Sequence, residues 1–430
     1  METLIEFFSF KYVNIQYVVF GTILLSVSSS IVGCFTFIKK KSLVGDVISH
    51  AVLPGICIAF MATGSKDPFL LIIGAFATGW ISILVMDGIT QNTKIKEDAA
   101  TGLSLSVFFG IGILLMTFIQ QSGNASQSGL DTFLFGKAAA LVGRDLVAFS
   151  IIAVVVLFVV FLFYKEFKLI SFDSNFAQVI GLPIKRLELL LTSITVLAVV
   201  TGIQAVGVVL MAAMLITPAA AARFWTNQLH RMILLAAIFG AFSGVAGAYI
   251  SYTAPSMPTG PWMVMILSII ALCSFFLAPE KGILIKLIRR IKIQRQLLEE
   301  NLLKVFYRIG ENTGDYFAGV KENDIQLVRN FSTAQLAKGL KKLKKSGYII
   351  RDGQSWILTK EGFEKGKRTT RLHRLWELYL AKYLRIAPDH VHEDAETIEH
   401  VITPELESQL EQLLGFPEED PHASAIPMKN

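Results

Sequence analysis

Cysteine is scarce: Cys34, Cys57 and Cys273 are the three in 430 residues, each alone in an apolar stretch. Such scatter excludes a disulfide framework or a cysteine metal cluster and assigns all three to packing. Charge is scarce too, at 17% of residues against 53% hydrophobic, with a mean hydropathy of +0.54. The shortage is uneven, because nearly all the long uncharged runs lie before about residue 280. That excludes a wholly soluble protein and implies a polytopic membrane domain followed by a soluble one. No Gly-x-x-x-x-Gly-Lys-[Ser/Thr] phosphate loop occurs, so any ATP hydrolysis must come from a partner. Glu2 and Glu6 precede the first apolar run and no small-residue cleavage site follows it, so that run is expected to stay in the membrane.

Apolar stretches fall at about 16–38, 43–62, 68–87, 98–119, 146–164, 187–205, 206–222, 232–252 and 261–279, each close to the ~20 residues that cross hydrocarbon. The pair between 187 and 222 is ambiguous. One helix of that length would be roughly 54 Å long, and Gly202 and Gly207 offer places to turn, so the expectation is nine spans with eight as the alternative. Lys39–Lys41, Lys94, Lys96, Lys165, Lys168, Lys185, Arg186, Arg223, Arg231 and the Lys281–Arg295 tract fall on one side in an odd count. The positive-inside rule then puts the N-terminus outside and the C-terminus in the cytoplasm.

Within the second apolar stretch, Asp46 and His50 lie four apart, which on a helix stacks both on one face. Pro54 and Gly55 are expected to loosen the helix just beyond. A carboxylate and an imidazole so placed are half of a divalent-metal site, and ionisable groups inside a membrane mark a substrate or proton path by default. An interhelical hydrogen-bonding histidine is the plain alternative. Gln120–Asp131, rich in Gly, Ser, Asn and Gln, and Ser251–Pro261, with three prolines, suit solvent-facing loops. Phe172–Pro183 carries a capping residue ahead of a short helix stopped by Gly and Pro, and Thr217–Trp225 has small residues that admit a close neighbour.

Beyond Lys281 the chain turns polar. Lys281–Glu300 is basic and amphipathic, suited to an anionic membrane surface or to a plain helix leaving the bilayer. Short helical patterns follow, then a hairpin pattern over Ser346–Thr359 turning at Asp352-Gly353. These are the ingredients of a winged helix. Lys338–Lys345 forms a basic face of the kind a phosphate binder uses, or a solvated lysine face.

The run Gly45-Asp46-x-x-Ser49-His50-Ala51-Val52-Leu53-Pro54-Gly55, the segment Asp173-x-x-Phe176-Ala177-x-x-x-Gly181-Leu182-Pro183 and the stretch from Val206-Gly207 to Thr217-Pro218-Ala219-Ala220-x-Ala222-Arg223 resemble the permease subunits of ABC importers for manganese, zinc and iron. The resemblance covers residues 1 to about 280. It implies a second permease subunit, the same or a related chain, a pair of cytoplasmic ATPases, and an extracellular metal-binding protein that delivers the ion. It also implies that Asp46 and His50 occupy the metal path. Mixed oxygen and nitrogen donors suit manganese, ferrous iron or zinc. For coupling to the ATPase the candidate is Pro218–Arg231, with Pro218, Arg223 and Arg231.

From Leu358 onward, Leu358-Thr359-Lys360-Glu361-Gly362, His373-Arg374-Leu375-Trp376-Glu377, Val391–Glu396, Glu399-His400-Val401-Ile402 and Leu413–Pro417 resemble metal-responsive repressors of the diphtheria-toxin-repressor type. By that match His373, Glu396, Glu399 and His400 fall on metal-ligand positions. Asn301 and Lys304 depart from it, standing where manganese sensors place acids, and the expectation is that the Lys304 ammonium fills the metal's space and pairs with Glu396 or Glu399. The family's C-terminal Cys-Pro-His-Gly is Asp420-Pro421-His422-Ala423 here.

The expected fold is an all-α polytopic membrane protein of eight or nine transmembrane helices with a cytoplasmic, mostly α, winged-helix-like plus helical dimerisation domain. Its expected parts are a permease domain (1–280), a basic linker helix (281–300), a degenerate winged helix (301–365) and a dimerisation and metal-binding region (366–430). The expected function is the permease subunit of an ATP-driven importer of manganese, with zinc or iron as alternatives, in the cell membrane. It holds no permanent cofactor, and lipid and nucleic acid are further candidate partners. The competing expectation is a membrane-tethered, metal-responsive transcription regulator.

Overall fold

In the computed structural model the described residues are 2–121, 136, 138, 141–254, 257–384, 404–422 and 424–428. The chain divides into two compact units, Met1–Lys286 and Leu287–Asn430.

The first unit is helical. A short α1 (Glu2–Phe8) precedes α2 (Val13–Ile38), α3 (Val44–Thr63), α4 (Pro68–Asn92), α5 (Glu97–Gln121), α6 (Gly143–Leu162), α7 (Tyr164–Phe172), α8 (Ser174–Val179), α9 (Ile184–Val206), α10 (Val208–Trp225), α11 (Leu229–Thr253) and α12 (Thr259–Leu277). Among the described residues nine of these, α2 to α6 and α9 to α12, are long and apolar enough to cross a membrane. The ambiguous stretch thus holds two helices. The break is at Gly207, whose φ of 94° and ψ of 160° are open to a residue without Cβ, while Gly202 stays inside α9.

α2, α3 and α9 are the most buried of the nine and form the centre; α5 and α12 are the least. Pro54 does not end α3, which runs on to Thr63 and stops at left-handed Gly64. Gly55 serves instead as a contact, because a Cβ there would collide with the Gly74 carbonyl, so its absence lets α3 and α4 touch backbone to backbone. Of the loop at 120–131, residues beyond Gln121 lie outside the described residues. The Ser251–Pro261 connection is shorter than expected: α11 continues through Thr253 and α12 starts at Thr259. The capped short helix over 172–183 is present as α8, with the Asp173 carboxylate accepting from Phe176 N at 2.9 Å and Gly181 at φ 85° beyond its end.

In the second unit, α13 (Ile283–Thr313, which begins just before the division), α14 (Glu322–Val328) and α15 (Thr333–Lys345) precede an antiparallel hairpin of β1 (Ile349–Asp352) and β2 (Ser355–Leu358). Ser332 and Gln335 form a capping box at the start of α15, each side chain meeting the other's backbone N–H. The hairpin pairs Ile349 with Leu358 and Asp352 with Ser355, so its two-residue turn is Gly353-Gln354, one position later than the Asp-Gly signal suggested. Leu303, Phe306, Ile325, Leu336, Leu340 and Trp356 fill one core, so helix, turn, helix and wing share a single apolar centre. α16 (Lys360–Tyr383) and α17 (Pro404–Leu414) follow, meeting through Leu375, Leu410, Leu414 and Ile426. The unit is winged-helix-like with a helical appendage.

Candidate functional site

The turn before α3 passes through Lys40 at φ 59°. Two residues into the helix Asp46 appears, and one turn later His50. His50 Nε2 lies 3.6 Å from Asp46 Oδ1, with 19% of the imidazole and 39% of the carboxylate side chain exposed. That gap is longer than a hydrogen bond. It matches the ~3.4 Å between neighbouring donors on a tetrahedral ion with bonds of ~2.1 Å, so both groups can reach one cation. The ring is held edge-on against Phe109 of α5, centroids 4.9 Å apart, and Nδ1 is buried with no hydrogen-bond partner among the described residues. Pro54 lacks the N–H that would meet the His50 carbonyl, so a second oxygen is released from the helix ladder at the same turn. Behind this face Ser49 Oγ donates to the Gly45 carbonyl at 2.7 Å, and Gly45 packs against the Leu215 side chain. Among the described residues no group of three or more His, Cys, Asp or Glu side chains is placed to hold a metal. One chain presents Asp46 and His50 side by side on one face of α3.

The three residues expected to couple to an ATPase are placed differently from one another. Pro218 is buried inside α10. Arg223, at the end of that helix, is half-buried and donates to the Asn227 carbonyl at 3.0 Å, and Arg231 is exposed on α11. Lys281 caps the same corner, its ammonium donating to the Arg223 carbonyl at 3.0 Å and to Asn227 Oδ1. Burial, and then the Arg223 charge, push the Lys281 pKa down. Trp225 Nε1 donates to Ser274 Oγ at 2.9 Å, tying α10 to α12. This corner is an internal brace. Exposed apolar side chains lie on and just beyond α8, where Phe176, Val179 and Ile180 are 53%, 83% and 53% exposed. Composition marked α8 as a helix; its burial pattern was not readable, since only Ala177 turns inward.

In the C-terminal unit, His373 is buried on α16 with Nε2 3.2 Å from Glu377 Oε1. Glu396, Glu399 and His400 lie outside the described residues, and with them the expected partners of Lys304. Glu377 was not singled out from sequence, although its i, i+4 spacing from His373 was the available signal. Asp420 does not act as a spare donor: its Oδ1 accepts from His422 N at 2.8 Å and Ser424 N at 2.9 Å, and its Oδ2 lies 3.6 Å from Arg374 Nε. Arg374 also holds Glu311 of α13 in a two-pronged pair at 3.0 and 2.7 Å and donates to the Ala425 carbonyl. Burial lowers its pKa, but the hydrogen bonds and charge of Glu311, then Asp420, outweigh that and raise it. Arg371 reaches Glu407 and Glu411 of α17. Among the described residues Asp420 is taken by the Arg374 guanidinium and by two backbone N–H groups, so it is not open to a metal.

Residues 11–278 match the family described as the ABC 3 transport family, and residues 359–428 match the iron dependent repressor, metal binding and dimerisation domain. The chain is 42% identical over 375 residues to the manganese transport system membrane protein MntC of Bacillus subtilis (strain 168), covering 87% of this chain and 86% of that one. It is 45% identical over 287 residues to the zinc transport system membrane protein TroC of Treponema pallidum (strain Nichols), covering 67% of this chain and 96% of that one. A solved structure of PsaBC from Streptococcus pneumoniae in complex with Fab superposes with a TM-score of 0.59 at 33% identity, over 65% of this chain and 97% of that one. The chain is therefore a multi-pass membrane protein of the ABC 3 transport family, with a C-terminal iron-dependent-repressor domain.

Proposed function

We propose that this chain is the permease subunit of an ATP-driven importer of divalent metal, manganese foremost, and that Asp46 and His50 are ligands in its translocation path. The observation that carries the proposal is the Asp46–His50 pair, 3.6 Å apart on one face of an otherwise apolar helix and still partly open. A divalent ion leaving water for hydrocarbon loses its hydration and needs replacement donors and counter-charge. Two copies of the half-site facing each other supply two carboxylates and two imidazoles, neutralising a 2+ ion with a donor set that suits manganese, ferrous iron or zinc. The MntC and TroC relatives, named for manganese and zinc transport, support that class of cargo.

The remaining partners follow from the family. An extracellular metal-binding protein delivers the ion, and a cytoplasmic ATPase pair drives release. The exposed apolar surface of α8, with Arg231 and the braced corner behind it, is the surface we assign to the ATPase. Pro218 and Arg223 transmit its movement to α10, whose Leu215 packs against Gly45 one residue before Asp46. An odd span count together with the positive-inside rule supports a cytoplasmic C-terminal unit, which we read as a regulatory domain. Uptake of radioactive manganese by cells carrying His50→Ala tests the reading. Background uptake with the complex still assembled is expected; unchanged uptake, with altered transcription once 287–430 is deleted, supports a tethered regulator instead.

A further inference from the structure

α13 is one helix with two unlike halves. From Leu302 on, its apolar residues are buried: Leu302, Leu303, Val305 and Phe306 are each under 5% exposed. From Ile283 to Ile293 apolar residues face outward, with Leu284, Leu287, Ile288 and Ile291 at 42%, 50%, 64% and 38% and, off their line, Ile283 and Ile293 at 42% and 50%. The first four recur at i, i+3, i+4 and i+7, a single stripe along the helix. Lys286, Arg289, Arg290 and Lys292 lie off this face, Arg295 continues its line, and no acid occurs between Lys281 and Leu298.

We infer that the first half of α13, residues 283–295, is a membrane-surface anchor that lies on an anionic phospholipid bilayer. This rests on the reading of α12 as the last membrane span. α12 ends at Leu277 and α13 starts at Ile283, so the helix begins within five residues of the bilayer edge. A turn closed by Gly282 N on the Ala278 carbonyl at 2.8 Å separates them. Lys281, held by Arg223 and Asn227, fixes that turn to the first unit. The apolar stripe suits insertion to the acyl boundary, while the cations reach the headgroups around it. Anionic lipid is the occupant favoured by charge. A second copy of the same helix would bring cations against cations with no acid to pair them, and a nucleic acid has no use for the exposed isoleucines and leucines.

The test uses the full chain with Cys273→Ser, since Cys34 and Cys57 are buried. A polarity-sensitive label is placed at Ile288→Cys on the stripe, or at Ile293→Cys on the opposite face. Each protein is reconstituted in nanodiscs of phosphatidylcholine alone or enriched in phosphatidylglycerol. The inference expects the label at 288 to shift to the blue and to be quenched by a lipid-tethered quencher several-fold more in the anionic discs. The label at 293 stays open to iodide, and converting Lys286, Arg289, Arg290 and Lys292 together to Gln abolishes the difference. Equal iodide access at 288 in both discs overturns it. So does shielding at 288 that ignores lipid charge, or short label-to-label distances between two copies, since either means a protein surface covers the stripe. Metal uptake is a separate readout: its loss in His50→Ala leaves the label result standing.

Discussion

Arg374→Met removes a single cation on which three segments converge: α13 through Glu311, α16 through Arg374 itself, and the tail through Asp420 and the Ala425 carbonyl. The Arg374 side chain is 8% exposed and Asp420 4%, whereas Glu311 is 29% exposed and regains some water when released. Breaking a buried ion pair from one side costs about 3–5 kcal/mol. The lower end applies here, because Asp420 keeps two backbone N–H donors and Glu311 is partly solvated. About 3 kcal/mol corresponds to roughly a hundredfold in a local opening equilibrium. Hydrogen exchange on the intact protein reads it directly at Ile426 N, which donates to the Glu418 carbonyl at 2.7 Å, and at Asp420 N, which donates to Ser424 O at 3.0 Å. Both are expected to exchange about a hundredfold faster in Arg374→Met. The double variant Arg374→Met with Glu311→Leu should recover part of the loss, since paired apolar replacement removes the stranded carboxylate. Exchange within threefold of the parent would refute the clasp, as would added manganese restoring protection in the single variant.

In the proposed paired site Asp46→Ala and His50→Ala each remove two of the four donors; uptake should fall to background while the complex still purifies intact, and failed assembly would mean that they pack rather than bind. On α8, Val179→Asp puts a charge at an 83% exposed apolar position without disturbing the core. It should weaken ATPase binding and the stimulation of ATP hydrolysis by the metal-loaded binding protein, and unchanged stimulation moves the docking surface elsewhere. Gly55→Val forces α3 away from α4, so thermal unfolding in detergent should show a loss of about 1–3 kcal/mol or failure to express; wild-type stability would contradict the backbone contact.

Much of the architecture was legible in composition, because hydrocarbon demands ~20 apolar residues per crossing and the chain has little freedom to hide them. The Asp46–His50 pair was legible for a related reason: charge inside such a run is costly, and a four-residue spacing on a helix leaves one choice of face. The repressor-like pattern from Leu358 on rested on local motifs, and the hairpin on its turn residues. What sequence did not reveal depends on which surface meets which. Pro54 and Gly55 were expected to loosen the helix, yet α3 runs on to Thr63 and Gly55 meets the Gly74 backbone of α4. Pro218 is buried inside its helix and Arg223 half-buried beside Asn227, while Phe176 and Val179 of α8 stay exposed, a difference that spacing alone does not show. His373 gains Glu377 from its own helix, as spacing allowed. Arg374 gains Glu311 from 63 residues away, and only the fold brings so distant a partner into reach. Local periodicity and the cost of burying charge set the helices and the Asp46–His50 spacing; which carboxylates meet a guanidinium, and which apolar faces stay open, were decided by tertiary packing.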